Sequence, residues 1–151
     1  MITILIVYHS QSGHTEQMAR AVAEGVQAID GARALVIRAG EATLDDLVNA
    51  DGLAFGTPEN FGYMSGMLKD FFDRTYNEGQ DRVFRKPYAV FISAGNDGTG
   101  ALRAIERIAL GYKLKTVFSP VIARGALTEE ALEQCRELGG TIAGGCQIGI
   151  Y

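Results

Sequence analysis

The chain has 151 residues, of which 47% are hydrophobic and 21% are charged, and its formal net charge at pH 7 is −4. A chain of this length and balance is typical of a single soluble globular domain, residues 1–151, and excludes disordered, collagen-like and coiled-coil proteins. The acidic balance leaves no basic surface to attract nucleic acid or an anionic membrane, so we expect neither as a partner.

The first half of the chain predicts alternating strands and helices. An uninterrupted β-branched run at 2–8 is typical of a central strand covered on both faces, and apolar residues then recur at helical spacing over 18–29. A second apolar stretch at 34–37 predicts another strand. A short helix with Thr43 as its N-cap follows, and a third strand is predicted at 52–55.

The second half continues the alternation to the end of the chain. Its predicted elements are, in order, a helix over 64–72, a strand at 88–92, a helix over 102–109, a fifth strand that joins 117–118 to 121–123, and a helix over 132–142. Because proline cannot donate to a strand ladder, Pro120 predicts that the fifth strand lies at the edge of the sheet.

This alternation, without a linker or a shift of composition, predicts a parallel α/β sheet with helices on both faces. Five strands fit an open doubly wound sheet, whereas a barrel of this kind needs eight. In such a sheet ligands bind beyond the carboxyl ends of the strands, where the strand order reverses. The loops after the first, third and fourth strands are therefore the candidate binding site.

The two cysteines, Cys135 and Cys146, are too few for a disulfide framework and are not spaced as metal ligands, so we expect no metal site. We place Cys135 in the core and Cys146 in a glycine-rich tail, and we expect the 19 glycines mostly at loop positions. The first residues lack the basic segment and cleavage site of a signal peptide. We therefore expect a reduced, cytoplasmic protein.

Loop one, residues 9–15, carries hydroxyl groups and a glycine but no Lys or Arg, and it runs into a helix. Backbone amides at a helix start can hold a phosphate without a formal cation, helped by the helix dipole. The alternative is an ordinary cap in which Ser12 or Thr15 satisfies the first amides of the helix.

Loop two, residues 56–66, sets Phe61 and Tyr63 among glycines and a proline at the end of the third strand. Exposed rings on a stiff turn suit stacking against a planar ligand. The alternative is that both rings pack into the core beneath the loop.

Loop three, residues 93–100, has three glycines, which permit close approach of the backbone to a ligand. The alternative is a flexible crossover connection. The case for a binding site rests on the convergence of the three loops at one edge of the sheet.

The runs HSQSGHTEQMARAVAEGV and DLVNADGLAFGTPENFGYMSGMLKDFFDRT resemble the flavodoxin-like NAD(P)H:quinone oxidoreductases typified by tryptophan-repressor-binding protein. The most specific part is the Gly-Thr-Pro, Phe-Gly and Met-Ser-Gly elements with the ending Asp73-Arg74-Thr75. The resemblance weakens after Gly100. It implies a flavodoxin-like three-layer sandwich, with a five-stranded parallel sheet in the order 2-1-3-4-5. It also implies an enzyme that passes hydride from NAD(P)H through FMN to a quinone-like acceptor.

In such an enzyme the flavin supplies the chemistry, so the resemblance assigns no catalytic side chain and gives all three loops to FMN. The residues implied to hold the phosphate are Ser10, Gln11, Ser12, Gly13, His14 and Thr15. Those implied to flank the ring are Thr57, Pro58, Glu59, Asn60, Phe61, Gly62 and Tyr63. Those implied to complete the pocket are Ser93, Ala94, Gly95, Asn96, Asp97 and Gly98.

The chain departs from the family in two respects. Family members usually carry Thr-Arg where this chain has Glu59-Asn60, so a cation beside the flavin is replaced by an acid. A carboxylate close to the ring, from Glu59 or Asp97, disfavours the anionic reduced flavin unless it points to solvent. The family also assembles as homo-oligomers through segments that are missing from this shorter chain, so association of identical chains is left open.

Other proteins with this strand pattern fit less well. A phosphoacceptor receiver domain needs acids after the first and third strands, and a low-molecular-weight phosphatase needs Cys and Arg in its first loop. Neither set is present, and no G-x-S-x-G elbow marks a serine hydrolase.

The alternative hypothesis to the oxidoreductase is a flavodoxin in the strict sense, which is an electron carrier that docks on a redox protein and has no small-molecule substrate of its own. Carriers of this kind are usually strongly acidic around the flavin. The modest net charge, with Arg82, Arg85 and Lys86 clustered in one stretch, favours the enzyme.

Overall fold

In the computed structural model, which describes residues 1–151, strands and helices alternate along the whole chain. The strands are β1 (Ile2–Tyr8), β2 (Ala32–Arg38), β3 (Gly52–Asn60), β4 (Tyr63–Met64), β5 (Pro87–Ala94), β6 (Lys115–Thr116) and β7 (Val121–Arg124). The helices are α1 (His14–Gln27), α2 (Leu44–Asn49), α3 (Gly66–Gly79), α4 (Thr99–Tyr112) and α5 (Glu129–Ile148).

The main strands form a parallel sheet in the order β2-β1-β3-β5-β6, with β7 also paired to β5. If β6 and β7 are taken as one interrupted strand, this is the predicted order 2-1-3-4-5, and the fold class is confirmed. The strand order reverses between β1 and β3, so the loops after β1, β3 and β5 meet at one edge.

The fifth strand differs from its predicted form. Residues 117–120 interrupt the strand between β6, which pairs with the start of β5, and β7, which pairs with its end. The Val117 N–H still donates to the Tyr88 carbonyl at 3.2 Å. Pro120 lies in this gap, because it has no N–H to donate. The predicted edge position is correct, but Val117 and Phe118 are not in a strand.

Two cores lie on opposite faces of the sheet. Leu5 and Val7 of β1 face α2, α3 and α4, while Ile4 and Ile6 face α1 and α5. All four side chains are fully buried, which explains why β1 reads as an uninterrupted apolar run.

The short helix α2 is held at both ends by side chains. Thr43 caps its first turn in a reciprocal pair with Asp46, as predicted for the N-cap. At the other end the Lys86 ammonium donates to the carbonyls of Leu47, Val48 and Ala50. Lys86 is therefore a structural cap. The sequence had suggested instead that it forms a cluster of surface charges with Arg82 and Arg85.

The glycines are not mostly in loops: nine of the 19 lie in helices and two in strands. Gly25 of α1 and Gly139 of α5 let the two helices touch, since a Cβ on Gly139 would lie 2.0 Å from the Val22 carbonyl oxygen. Cys146 lies in the last turns of α5 and not in a tail. None of the helices is both long enough and apolar enough to cross a membrane.

Candidate functional site

A cleft of about 280 Å³ opens at the carboxyl edge of the sheet, where the three predicted loops converge. Its lining residues are Ser12, His14, Pro58, Glu59, Ser93, Ala94, Gly95 and Gly125. Seven of these were predicted from the sequence. Gly125 was missed, although its place directly after the fifth strand puts it at the same edge; its N–H donates to the Ala94 carbonyl at 2.8 Å.

The N-terminus of α1 is not capped by a side chain. The N-cap is Gly13, at φ 98°, and the first backbone bond of the helix runs from the Gln17 N–H to the Gly13 carbonyl. The N–H groups of His14, Thr15 and Glu16 therefore have no partner within the protein. The alternative that Ser12 or Thr15 merely caps this helix is wrong.

Two hydroxyl contacts shape loop one. Ser10 Oγ accepts from the Gly13 N–H at 3.1 Å, which closes the turn before the helix. The buried Thr15 hydroxyl lies 2.8 Å from that of Ser93 and so ties loop one to loop three. The Thr15 backbone N–H has no partner within the protein, while its hydroxyl joins the two loops.

Loop one itself has no Lys, Arg, Asp or Glu, and the carboxylate that follows it is shared by two arginines. Glu16 accepts from Arg20 at 2.9 Å and from Arg38 at 2.7 Å, so its negative charge is paired. Burial, and secondarily the charge of Arg38, lower the pKa of His9 below its usual 6.5, which keeps the ring neutral at pH 7. Attraction for an anion at this end of α1 therefore comes from backbone N–H groups and the helix dipole.

Loop two is a hairpin and not an irregular loop. β3 continues to Asn60 and pairs antiparallel with β4 across Phe61 and Gly62, whose φ values are 52° and 71°. Positive φ at both central residues is the type I′ turn that two-residue hairpins favour. As a consequence Met64, predicted to begin a helix, belongs to β4, and α3 begins at Gly66.

The two aromatic side chains of this hairpin face outward. The relative exposure of Phe61 is 107% and that of Tyr63 is 42%, so the alternative that both rings pack into the core is wrong. Phe61 is a bulky residue in the left-handed region, a backbone strain that is found at functional sites.

Thr57 lies beneath the cleft and not in it. Its side chain is fully buried; its hydroxyl donates to the Pro58 carbonyl and accepts from the Ser65 N–H at 2.9 Å. Ser65 in turn caps α3 by accepting from the Leu68 N–H. Thr57 therefore fixes the hairpin to the start of α3.

Glu59 caps the start of α4. Its two carboxylate oxygens accept from the N–H groups of Gly98 at 3.2 Å and Ala101 at 3.1 Å. The hairpin also touches α4 through its backbone, since a Cβ on Gly100 would lie 2.0 Å from the Gly62 carbonyl oxygen. Glu59 thus lines the cleft but does not point to solvent, and amides oppose its charge.

Loop three leads into α4 through Gly98, the N-cap at φ 75°. A Cβ on Gly98 would lie 2.7 Å from a methyl of Ile122, so the position requires glycine for space as well as for conformation. Asp97 is exposed and accepts from the N–H and hydroxyl of Thr99. These hydrogen bonds, and to a smaller extent the charges of Arg124 and Arg103, lower the pKa of Asp97.

The remaining predicted residues surround the cleft without a fixed role. The side chains of Gln11, Asn60 and Asn96 make no hydrogen bond within the protein and are exposed or half-buried. They are free to contact a ligand.

The arrangement suits a planar ligand that carries an anionic tail. Unpartnered amides at the α1 N-terminus fit a phosphate, and the outward rings of the hairpin fit a flat conjugated system. Thiol chemistry does not belong to the site, because burial raises the pKa of Cys135 to about 12 and that of Cys146 to about 11.

Comparison with known proteins places the chain in a family. Residues 6–139 match the family model described as Flavodoxin. The chain is 31% identical to a flavodoxin from Aquifex aeolicus (strain VF5), over 93% of this chain and 84% of that protein. It is 40% identical to an NAD(P)H dehydrogenase (quinone) from Acidithiobacillus ferrooxidans, over 66% of this chain but only 60% of that protein.

Solved structures of flavodoxins superpose on this chain over nearly its whole length. A flavodoxin from the domain Archaea superposes with a TM-score of 0.84 at 25% identity, covering 97% of this chain and 99% of that one. A WrbA-like flavodoxin from Agrobacterium tumefaciens superposes with a TM-score of 0.82 at 26% identity, covering 98% and 99%. By sequence and by fold, the chain belongs to the flavodoxin family, whose fold binds FMN.

Proposed function

We propose that the cleft binds FMN and that the protein is an FMN-dependent oxidoreductase, which takes electrons from NAD(P)H and passes them to a quinone-like acceptor. The observation that carries the FMN site is the uncapped N-terminus of α1 at a cleft that is also lined by Pro58 and Glu59, from which the hairpin with the outward-facing rings of Phe61 and Tyr63 extends. A helix start with unpartnered amides and an exposed, strained aromatic turn are both costly without a ligand.

The phosphate of FMN is proposed to lie at loop one. The free N–H groups of His14, Thr15 and Glu16 point along the axis of α1, where the helix dipole favours an anion. The exposed Ser12 hydroxyl and the Gln11 amide can add hydrogen bonds from the open side. Ser10 and Thr15 act indirectly, because their hydroxyls hold loop one in shape.

The ring of FMN is proposed to lie between the hairpin and loop three. Phe61 and Tyr63 supply faces for stacking, and Pro58 and Glu59 line the cleft beside them. Ala94 and Gly95 of loop three let the backbone approach the polar edge of the ring. When bound, FMN supplies the redox chemistry; the chain orients it and keeps water from one face.

The enzymatic part of the proposal is supported by the relative at 40% identity, which is named an NAD(P)H dehydrogenase (quinone). This chain spans about 60% of that protein. A second candidate function, that of an electron carrier, is favoured by the match to the Aquifex flavodoxin, which covers 84% of that protein.

The FMN site is tested by titrating the protein with FMN and with riboflavin. Because hydrogen bonds to a phosphate dianion are strong, we expect FMN to bind more tightly by several kcal/mol. Equal affinities would place the phosphate elsewhere, and failure to bind FMN would remove the proposal.

The enzyme and the carrier are separated by anaerobic rapid mixing of the FMN-loaded protein with NADH or NADPH. Direct bleaching of the flavin absorbance, on the timescale of turnover with a quinone, supports the enzyme. A flavin that stays oxidised under NAD(P)H, but is reduced by dithionite, identifies the carrier.

A further inference from the structure

Helix α4 has an exposed basic face that the proposed FMN site does not use. Arg103 and Arg107 are exposed on one side of the helix, and the exposed Lys113 is its C-cap. None of them takes part in any of the salt bridges of the chain. Since Arg103 and Arg107 are four residues apart, their like charges repel and cost the isolated protein stability.

The basic face extends beyond both ends of α4. At the C-terminal end the Arg85 N–H donates to the Lys113 carbonyl at 2.9 Å, which brings a further exposed arginine alongside. At the N-terminal end the positive charges of Arg124 and Arg103 both lower the pKa of Asp97 in loop three, so both arginines lie near that loop. This end of the face therefore adjoins the rim of the cleft.

The centre of the basic face is apolar. Leu110 is 76% exposed among these cations. Beside it a groove of about 420 Å³ runs between α3 and α4, with Phe72, Tyr76 and Ile108 in its lining. Three carboxylates lie on this side: Glu106, Asp97, and Asp73 in the groove lining, which is paired with Lys69. The unpaired cations still outnumber the unpaired carboxylates.

We propose that the basic face, made of Arg85, Arg103, Arg107, Leu110, Lys113 and Arg124, docks an acidic protein that exchanges electrons with the flavin. This rests on the proposed FMN site. From Arg103 to Lys113 the face runs about 15 Å along the helix, which is longer than one phosphate group and suits a protein surface. An apolar centre with a charged rim is the usual anatomy of protein interfaces. The partner's acidic surface is assigned by charge complementarity.

The test uses reduced plant-type ferredoxin, an acidic one-electron protein, mixed with the FMN-loaded chain. Two ferredoxins each give one electron to a flavin, and the protons come from water. We expect the second-order rate to fall as salt is added, because screening weakens attraction between opposite charges. A rate that rises with salt would overturn the proposal.

Charge reversal locates the docking site. Arg107→Glu lies away from the cleft, and at low salt we expect it to slow reduction by ferredoxin roughly three- to tenfold with FMN affinity unchanged. Arg33→Glu is the matched control: it makes the same charge change on β2, at the opposite edge of the sheet. Equal rates for the two variants would contradict docking on α4.

A separate measurement distinguishes failure of docking on α4 from failure of FMN binding. Calorimetry measures binding of oxidised ferredoxin to the protein with and without FMN. If no FMN binds, the proposed function fails, yet docking is still judged by whether Arg107→Glu weakens ferredoxin binding more than Arg33→Glu does. A chain that binds FMN but shows no such difference overturns the docking proposal alone.

Discussion

Phe61 combines two properties that are unfavourable in a free protein. It exposes a whole aromatic ring to water, and its φ of 52° lies in a region that bulky residues avoid. In the Phe61-Gly62 turn, asparagine would satisfy the backbone better, since Asn-Gly is the preferred type I′ pair. An aromatic side chain at this position is consistent with the proposed contact between its ring and FMN.

The variant Phe61→Asn is expected to move stability and ligand binding in opposite directions. The apo protein should gain about 0.5–1 kcal/mol from the relieved backbone, whereas FMN should bind about 1–3 kcal/mol more weakly after loss of the ring. Urea unfolding and FMN titration measure the two effects. Phe61→Ala is the control, because it removes the ring and keeps the left-handed strain; a loss of several kcal/mol of apo stability in either variant would show that the ring belongs to the core.

Glu59 links the hairpin to α4 through both of its oxygens, and a glutamine can keep only one of these acceptors. We expect Glu59→Gln to destabilise the apo protein by about 1–2 kcal/mol, as for loss of a helix cap. Asp97→Asn is the matched control, because Oδ1 alone accepts from Thr99 and the amide retains that oxygen. Equal stability of the two variants in urea would contradict the capping role.

The redox effect of Glu59 stays a separate prediction. If its carboxylate lies near the ring, Glu59→Gln should raise the midpoint potential, by about 30 mV for each ~1.4 kcal/mol of repulsion removed. The two amides that hold the carboxylate reduce this repulsion. A redox titration at low salt measures it, and an unchanged potential would show that the α4 amides already balance the charge.

At the scale of elements, the contact between α1 and α5 depends on glycines whose roles differ. Gly139 of α5 lies against the Val22 carbonyl, whereas a Cβ on Gly144 of the same helix would meet nothing within 4 Å. We expect Gly139→Ala to cost about 1–3 kcal/mol, since a methyl group there must push α1 away. Gly144→Ala should stabilise the helix by up to about 1 kcal/mol. Urea unfolding compares the two; a neutral Gly139→Ala would show that the helices separate easily.

At the scale of the whole molecule, net charge conceals how the charges are distributed. The chain carries −4 overall, yet the exposed side of α4 is basic, because Arg103, Arg107 and Lys113 have no salt-bridge partner, whereas Lys69, Arg74 and Arg136 are paired with carboxylates. Net charge alone therefore did not reveal this basic face, and the expectation that neither nucleic acid nor an anionic membrane is a partner stays a prediction. Net charge is a sum over the whole sequence, whereas the clustering of charges on one surface depends on the fold.

A buried tyrosine and a buried cysteine limit the stability of the protein at high pH. Burial raises the pKa of Tyr112 to about 12 and that of the Cys135 thiol to about 12, against ordinary values of 10.0 and 9.0. The unfolded chain loses these protons first, so stability is fully present below about pH 9 and falls as the pH rises toward 12.

We expect the urea midpoint to be lower at pH 10 than at pH 8, and Cys135→Ala to show a smaller decline than the parent protein. Equal midpoints for the parent protein at both pH values would contradict these shifts.

Much of this protein could be predicted from the sequence, because the signals involved are local. Apolar runs and helical spacing depend on near neighbours, and they located the five helices, the main strands, the N-cap Thr43 and the three loops at the carboxyl edge, but not the hairpin strand β4. The motifs from 9 to 100 indicated a flavodoxin-like family, and the match over residues 6–139 shows the flavodoxin family. That the chain is a quinone oxidoreductase within this fold stays a proposal.

The hydrogen-bond partners of several side chains could be found only from the tertiary structure, because they lie far apart in the chain. Glu59 reaches amides 39 and 42 residues away, and Lys86 reaches carbonyls 36 to 39 residues away. Neither residue has a local pattern that identifies its partner. Glu59 was therefore predicted to face the flavin ring or solvent, and Lys86 was predicted as one of a cluster of cations with Arg82 and Arg85. The same holds for Gly139, whose lack of a side chain acquires meaning only when α1 packs against it. Local chemistry determines which elements form; the space between elements determines what each polar or missing side chain does.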